Sequence, residues 1–363
     1  MSVRCSLGTA QADGKMSVLR ERTTRSNSAV LTTAGYDGYA KSVQPFPADI
    51  PVSENLQYFM PQEFKSGFVA VVGRPNAGKS TLVNRLVGQK VAIVTSRPQT
   101  TRNRIQGIVN LPNAQVVLID TPGLHRPDSA LGRQMMGEVN AAFDAVDVLA
   151  LILDVSEDVG KGDRHAIERA SRFEGTRFLL LNKVDRIAKD TLLPIIETVG
   201  KMADFAEIIP ISALTGDGVD RVLEKFIAYL PAGEPHFPAD QYTDQPERFL
   251  AAEMIREKAM AGTFHEVPHA VAVLVDSFEE TDRLIRIRAT IYVEREGQKG
   301  ILIGSKGASL KKIGTDARKE LEEILGTKIF LELFVKVLKD WRDNPQLVRQ
   351  LDWHLQLERL TGE

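Results

Sequence analysis

Short apolar runs alternate with stretches of helical period through residues 65–230. The runs Phe68–Val72, Ile105–Val109, Gln115–Asp120, Val148–Asp154, Arg177–Asn182 and Glu207–Pro210 predict six strands. Runs such as Val148–Leu153 and Phe178–Leu181 are apolar throughout, as strands buried on both faces must be. The pattern therefore predicts an α/β domain whose mostly parallel sheet carries helices on both faces, with chemistry gathered at the carboxyl ends of the strands. After the breaker-rich stretch Pro231–Pro238 the pattern changes. An amphipathic helix is predicted over about 246–260, strands at Ala270–Phe278 and Leu284–Glu294, a glycine turn, a helix at Ser309–Leu325 and a strand at Lys328–Val337. That α-β-β-α-α-β order is an α+β unit. Residues 1–62 show no sustained period and carry breakers at Pro45, Pro47, Pro51 and Pro61. The expected organisation is a disordered extension (1–62), an α/β domain (63–230), a linker (231–245), an α+β domain (246–345) and a tail (346–363).

A chain of 363 residues accommodates such a plan of about two domains. Its one cysteine, Cys5, excludes an internal disulfide framework and fits a reducing compartment. The longest apolar runs fall far below the roughly 20 residues of a membrane helix. A net charge of −2 leaves room for a local basic patch, and the six histidines show no metal-ligand spacing. Arg4, Arg20, Arg22 and Arg25 resemble a transit peptide, but Asp13, Glu21 and Asp37 interrupt it. The expected location is the cytoplasm, with organellar targeting by residues 1–62 as the alternative.

Candidate chemistry begins where the first strand ends, at Gly73-Arg74-Pro75-Asn76-Ala77-Gly78-Lys79-Ser80-Thr81. A glycine loop of this spacing between strand and helix turns successive backbone N–H groups toward an anion, and the helix N-terminus adds positive dipole. Lys79 is placed to meet β- and γ-phosphates, and the Ser80 hydroxyl to bind a Mg²⁺ bridging them. Asp120-Thr121-Pro122-Gly123 ends a later strand; its aspartate suits a Mg²⁺ held through water, and the Gly123 N–H suits a γ-phosphate. Asn182-Lys183-Val184-Asp185 ends another. A carboxylate at Asp185 accepts from the N1–H and exocyclic amine of guanine, a donor pair that adenine lacks. Asn182 can tie the base to neighbouring loops, the Lys183 stem can cover the purine, and a backbone N–H of Ser212-Ala213-Leu214 can meet the guanine oxygen. In the second domain Ile301-Leu302-Ile303 precedes Gly304-Ser305-Lys306-Gly307, a GxxG loop whose bare backbone admits a nucleic-acid strand, as in KH domains. Lys311 and Lys312 follow it, within a basic surplus running from Arg283 to Lys312.

Gly73–Thr81, Asp120–Gly123, Asn182–Asp185 and Ser212–Leu214 together resemble the translation-factor-type small GTPases. Ser96–Ile105, Gly297–Arg318 and Phe330–Trp341 look like the Era family of ribosome-assembly GTPases, a resemblance spanning about Lys65 to Leu351. It implies a P-loop GTPase domain followed by a KH domain of type II order, and hydrolysis of GTP to GDP and phosphate. Catalytic roles fall on Lys79, Asn76 and Thr101, with Thr101 closing over Mg²⁺ and Thr100 as the adjacent alternative. Leu124 stands where many regulatory GTPases place a water-orienting glutamine. In relatives with that substitution the P-loop asparagine, here Asn76, helps bind K⁺. The resemblance further implies binding of the single-stranded 3′ region of small-subunit rRNA during 30S assembly by a monomer, and loose association with the inner membrane. The loops Ala92–Arg104 and Leu124–Gly137 would switch with nucleotide and gate the RNA. The rival readings are an RNA-binding factor whose nucleotide site is only structural, and a nucleotide-dependent transporter or kinase, which Asp185 disfavours.

Overall fold

The computed structural model describes residues 63–353, apart from 98, 125, 126, 145, 264–266 and 282; the extension 1–62, His125 and the end of the tail lie outside the described residues. All six strands expected before residue 231 are present: β1 (Lys65–Gly73), β2 (Ile105–Leu111), β3 (Ala114–Asp120), β4 (Val148–Asp154), β5 (Thr176–Asn182) and β6 (Glu207–Ile211). They form one sheet in the order β2-β3-β1-β4-β5-β6, parallel except for the β2–β3 hairpin. Helices α1 (Lys79–Val87), α2 (Ala130–Asp144), α3 (Lys161–Ser171), α4 (Leu192–Gly200) and α5 (Val219–Tyr229) cover both faces. Leu82, Val83, Val222 and Phe226 close one side, and Val139, Ala142, Ile167, Ala170 and Val199 the other. The parallel register brings Gly73 beside Ile152, Asp120 beside Val71 and Asp154 beside Asn182, so the motif residues share one edge.

The second domain builds a three-stranded sheet from β7 (Ala272–Thr281), β8 (Leu284–Val293) and β9 (Ile329–Val337), with β7–β8 antiparallel and β8–β9 parallel. Helices α6 (Glu247–Ala261), α7 (Val267–Ala270), α8 (Glu296–Ile303) and α9 (Ala308–Leu325) surround its core, which includes Ile255, Ile287, Ile291, Leu302, Ala317 and Leu321. Two features depart from the pattern reading. Helix α6 is not amphipathic: every residue from Leu250 to Arg256 is buried, including Glu253, because the first domain covers the face that would otherwise meet water. Residues 345–353 are not an independent tail either. Helix α10 (Pro345–Gln350) starts at Asn344, whose side chain caps it, and packs Leu347 and Val348 against Leu131 and Met135 of α2.

The stretch between the domains is laid down along the first one. Ile108 N–H donates to Tyr242 O (2.9 Å), Thr243 Oγ1 to Gln106 O (2.8 Å), and Gln115 holds both His236 N–H and Phe237 O. Strand β2 is the edge of its sheet, and this stretch satisfies the polar groups it exposes.

Candidate functional site: a nucleotide cleft and a basic loop

The cleft at the strand ends has a volume of about 680 Å³ and is lined by the P-loop, the 93–101 segment, Gly123, Asp154, Asn182, Lys183, Asp185, Ala213 and Leu214. Its floor is the P-loop. Gly78 has φ +103°, and a Cβ there would lie 2.1 Å from Asn182 Nδ2, so no side chain fits. Lys79 is buried, with Nζ donating to Gly73 O (3.2 Å) and Arg74 O (2.9 Å). Burial pulls its pKa from 10.5 down to about 8, against the opposing pull of Asp120. Arg74 also lines the cleft, and its guanidinium pairs with Asp163 (2.7 Å), another lining residue. Asn76 adopts a left-handed conformation (φ 62°) and donates from Nδ2 to Ser96 O (2.8 Å), tying the P-loop to the 92–104 segment. Leu124 is buried, and its N–H donates to Gly73 O (3.0 Å).

Three oxygens converge beside Lys79. Ser80 Oγ donates to Asp120 Oδ2 (2.6 Å), Thr101 Oγ1 lies 2.9 Å from Ser80 Oγ, and Thr101 Oγ1 donates to Asp120 Oδ2 (3.2 Å). Asp120 is fully buried, which raises its carboxyl pKa; Lys79 and the two hydroxyls work in the other direction. Among the described residues its Oδ1 has no hydrogen-bond partner. One carboxylate and two hydroxyls, with a carboxylate oxygen to spare, fit a hard divalent ion that completes its shell with water and phosphate, as Mg²⁺ does. Thr100 Oγ1, the adjacent hydroxyl, lies instead 2.7 Å from Thr95 Oγ1 and donates to Arg97 O (2.6 Å).

At the base end, Asn182 is 2% exposed and donates to Ala77 O (2.7 Å) while accepting from Ala213 N–H (2.9 Å). The Lys183 ammonium pairs with Asp154, and Asp185 stands exposed at the rim. Ser212 N–H donates to Asp217 O (2.9 Å), so of the three loop N–H groups only that of Leu214 lacks an internal partner among the described residues.

In the second domain, Gly304–Gly307 links α8 to α9 through a tight turn. Gly304 has φ +69°, and a Cβ would meet Ser309 Cβ at 2.7 Å. Ser305, Lys306, Lys311 and Lys312 are exposed, and Ile301 beside them leaves 52% of its surface open.

Residues 68–183 match the family described as 50S ribosome-binding GTPases, and residues 266–342 match the KH domain family. Over 293 residues the chain is 49% identical to the GTPase Era of Syntrophus aciditrophicus and 48% identical to that of Geotalea uraniireducens. These alignments span 80% of this chain and 96% and 99% of the relatives. The chain belongs to the Era family of GTPases. Two solved Era structures superpose with TM-score 0.76 at 41% identity. One is Era with MgGDPNP and nucleotides 1506–1542 of 16S ribosomal RNA, covering 79% of this chain and 98% of that one. The other is a variant of Aquifex aeolicus Era bound to GDP·AlF₄⁻, covering 79% and 99%.

Era-family membership accounts for both halves of the fold: a P-loop GTPase domain, then a KH domain. Sequence reasoning missed how the two are joined. Ile93 lies in the KH core, and Leu131 and Met135 of α2 pack with Trp341, Leu347 and Val348. Arg102 is buried, donates to Val271 O (2.7 Å) and stacks over Trp341 at 5.3 Å. Asn103 Nδ2 donates to Leu351 O (3.0 Å), and Ala130 N–H to Asp343 Oδ1 (2.9 Å). The apolar residues Ile93, Leu131 and Met135, in segments read as switch loops, are the trace of this joint in the sequence. The segment Leu124–Gly137, expected to be a loop, is helical from Ala130 onward.

Proposed function

We propose that this chain is a Mg²⁺-dependent GTP-hydrolysing switch whose nucleotide state gates the grip of its KH domain on the single-stranded 3′ region of small-subunit rRNA, in support of 30S assembly. The observation that carries the reading is the placement of Thr100, Thr101 and Arg102. The middle side chain joins Ser80 and Asp120, while its neighbours reach the KH domain. A γ-phosphate that holds Thr101 therefore holds two contacts of the second domain with it.

Backbone N–H groups of Gly73–Thr81 cradle the phosphates, Lys79 supplies a cation to the β- and γ-oxygens, and Gly123 approaches the γ-phosphate. Ser80, Thr101 and, through water, Asp120 would hold Mg²⁺, which when bound neutralises charge developing on the phosphoryl oxygens. Asp185 selects guanine, the Leu214 N–H meets its oxygen, and Lys183 covers its face. Leu124 has no group to orient water, so unaided turnover is slow. The Asn76 amide nitrogen is engaged by Ser96 O, which leaves its oxygen to face a K⁺ ion. Gly304–Gly307 lets an RNA backbone approach, with Lys306, Lys311 and Lys312 meeting phosphates and Ile301 offering an apolar floor. On this reading the protein works as a cytoplasmic monomer. Any contact with the inner membrane is peripheral, which agrees with the finding that no described helix is long and apolar enough to cross one.

The test is crosslinking of the full chain to RNA from cells, loaded with GTP analogue or GDP, beside turnover in K⁺ and Na⁺ buffers. Small-subunit rRNA 3′ sequence should be recovered in a nucleotide-dependent yield. Recovery of none in either state removes the assembly role, equal rates in the two salts remove that of K⁺, and wild-type turnover by Lys79→Ala removes hydrolysis.

A further inference from the structure

Helix α6 presents Leu250, Ala251, Ala252, Met254, Ile255 and Ala259 to the KH core, yet it also buries Glu253 and Arg256. An ion pair in such a place stabilises a fold no better than apolar residues of the same volume. What distinguishes this pair is its direction. Arg256 is 2% exposed and locked on Glu253 by two hydrogen bonds, Nε to Oε1 (2.8 Å) and Nη2 to Oε2 (2.6 Å). The same Nη2 donates to the carbonyl of Thr100. That carbonyl belongs to the peptide plane leading into Thr101, so holding it fixes the plane from which the Thr101 side chain projects. On the other side of Thr101, Arg102 is held by Val271 O (2.7 Å), His269 O (3.4 Å) and the Trp341 ring.

We propose that Arg256, oriented by Glu253, is a positioning residue for GTP hydrolysis: from the KH domain it sets the Thr101 hydroxyl against Ser80 and Asp120. The proposal rests on the assignment of those three residues to the Mg²⁺ side of the site. It makes the G domain's hydrolytic geometry incomplete without the second domain. Its lever is a helix that packs directly on α9, the helix that the GxxG loop opens.

The experiment uses the full chain, three variants and the combination of the first with the third. Glu253→Gln with Arg256→Met removes both buried charges together, so neither is stranded; Arg256→Lys keeps the charge but loses the forked second arm; Thr101→Ala removes the hydroxyl. GTP turnover, GDP affinity and the Mg²⁺ dependence of triphosphate-analogue binding are measured for each. The paired variant should lose roughly tenfold in kcat and need more Mg²⁺ to bind the analogue, with GDP affinity within about twofold. Arg256→Lys should fall between it and the parent. Added to Thr101→Ala, the paired change should cost nothing further, because both act through one hydroxyl. Unchanged kcat in either arginine variant, an additive loss on the Thr101→Ala background, or a parallel fall in GDP affinity overturns the inference while leaving the site intact. A Thr101→Ala protein with parental kcat and Mg²⁺ dependence overturns the site assignment itself, and the inference with it.

Discussion

Guanine nucleotide should bind this protein with uptake of a proton at alkaline pH, because burial lowers the Lys79 pKa to about 8. Burial is the main cause, and the polyphosphate supplies the negative charge that restores the ammonium. If the complex stays protonated while the free site titrates at about 8, affinity scales as 1/(1 + 10^(pH−8)), and it falls roughly tenfold, ~1.4 kcal/mol, between pH 7 and pH 9. The same shift acts on folding with the opposite sign. Between about 8 and 10.5 the unfolded chain carries a proton that the folded, nucleotide-free chain has released, so the stability of the nucleotide-free protein rises with pH across that window. The assay is calorimetric titration with GDP at pH 7, 8 and 9 in pairs of buffers with different ionisation enthalpies. Uptake should approach one proton per nucleotide at pH 9 and about a tenth of one at pH 7. Guanine N1–H also titrates in alkali, and Lys79→Arg carries that contribution while its own charge stays fixed. Equal affinity at pH 7 and 9, or an identical slope in Lys79→Arg, would refute the assignment of the proton to Lys79.

Two further perturbations address the base pocket and the RNA loop. Asn182→Ala leaves Ala77 O and Ala213 N–H without the side chain that now joins them; at about 1–2 kcal/mol for each lost partner, GDP affinity should fall by ~30-fold or more, read by titration of a fluorescent nucleotide. A loss below threefold would mean that the two loops are held apart from Asn182. Lys306→Ala should lower the slope of log affinity against log salt for a single-stranded RNA by about 0.7, as one released counterion does, with sequence preference unchanged. An unaltered slope would place the phosphates elsewhere.

The strands of the first domain were legible because their burial on both faces leaves an unbroken apolar run, and the shared edge of the motif residues because each motif sits where such a run stops. Side-chain direction was not legible. Family resemblance alone ranks Thr101 above Thr100; their different contacts, Thr100 Oγ1 with Thr95 and Arg97 and Thr101 Oγ1 with Ser80 and Asp120, belong to the folded chain. Arg74 belongs to the P-loop by position, yet its guanidinium is engaged by Asp163, from a helix far along the chain. Helix α6 read as half-exposed because periodicity within one domain does not register a second domain against it. Glu253, Arg256 and Arg102 were missed for the same reason: an ionic residue is expected at a surface, and this surface is closed by tertiary contact.

The stretch from Pro231 to Gln245 is stitched to the margin of the first sheet by the Ile108 N–H, by the Thr243 hydroxyl and by Gln115, and Gln245 Nε2 reaches Val91 O (2.8 Å). It therefore does not behave as a loose cord between two beads. Once a segment of chain is immobilised in this way, the entropy of bringing the modules together has already been spent in folding, and each contact of residues 92–104 with the KH domain forms at the high local concentration of a short, stiff connection. Contacts of modest individual strength can then hold the pair docked, and under the proposed switch the loss of one or two when a phosphate departs would shift the balance.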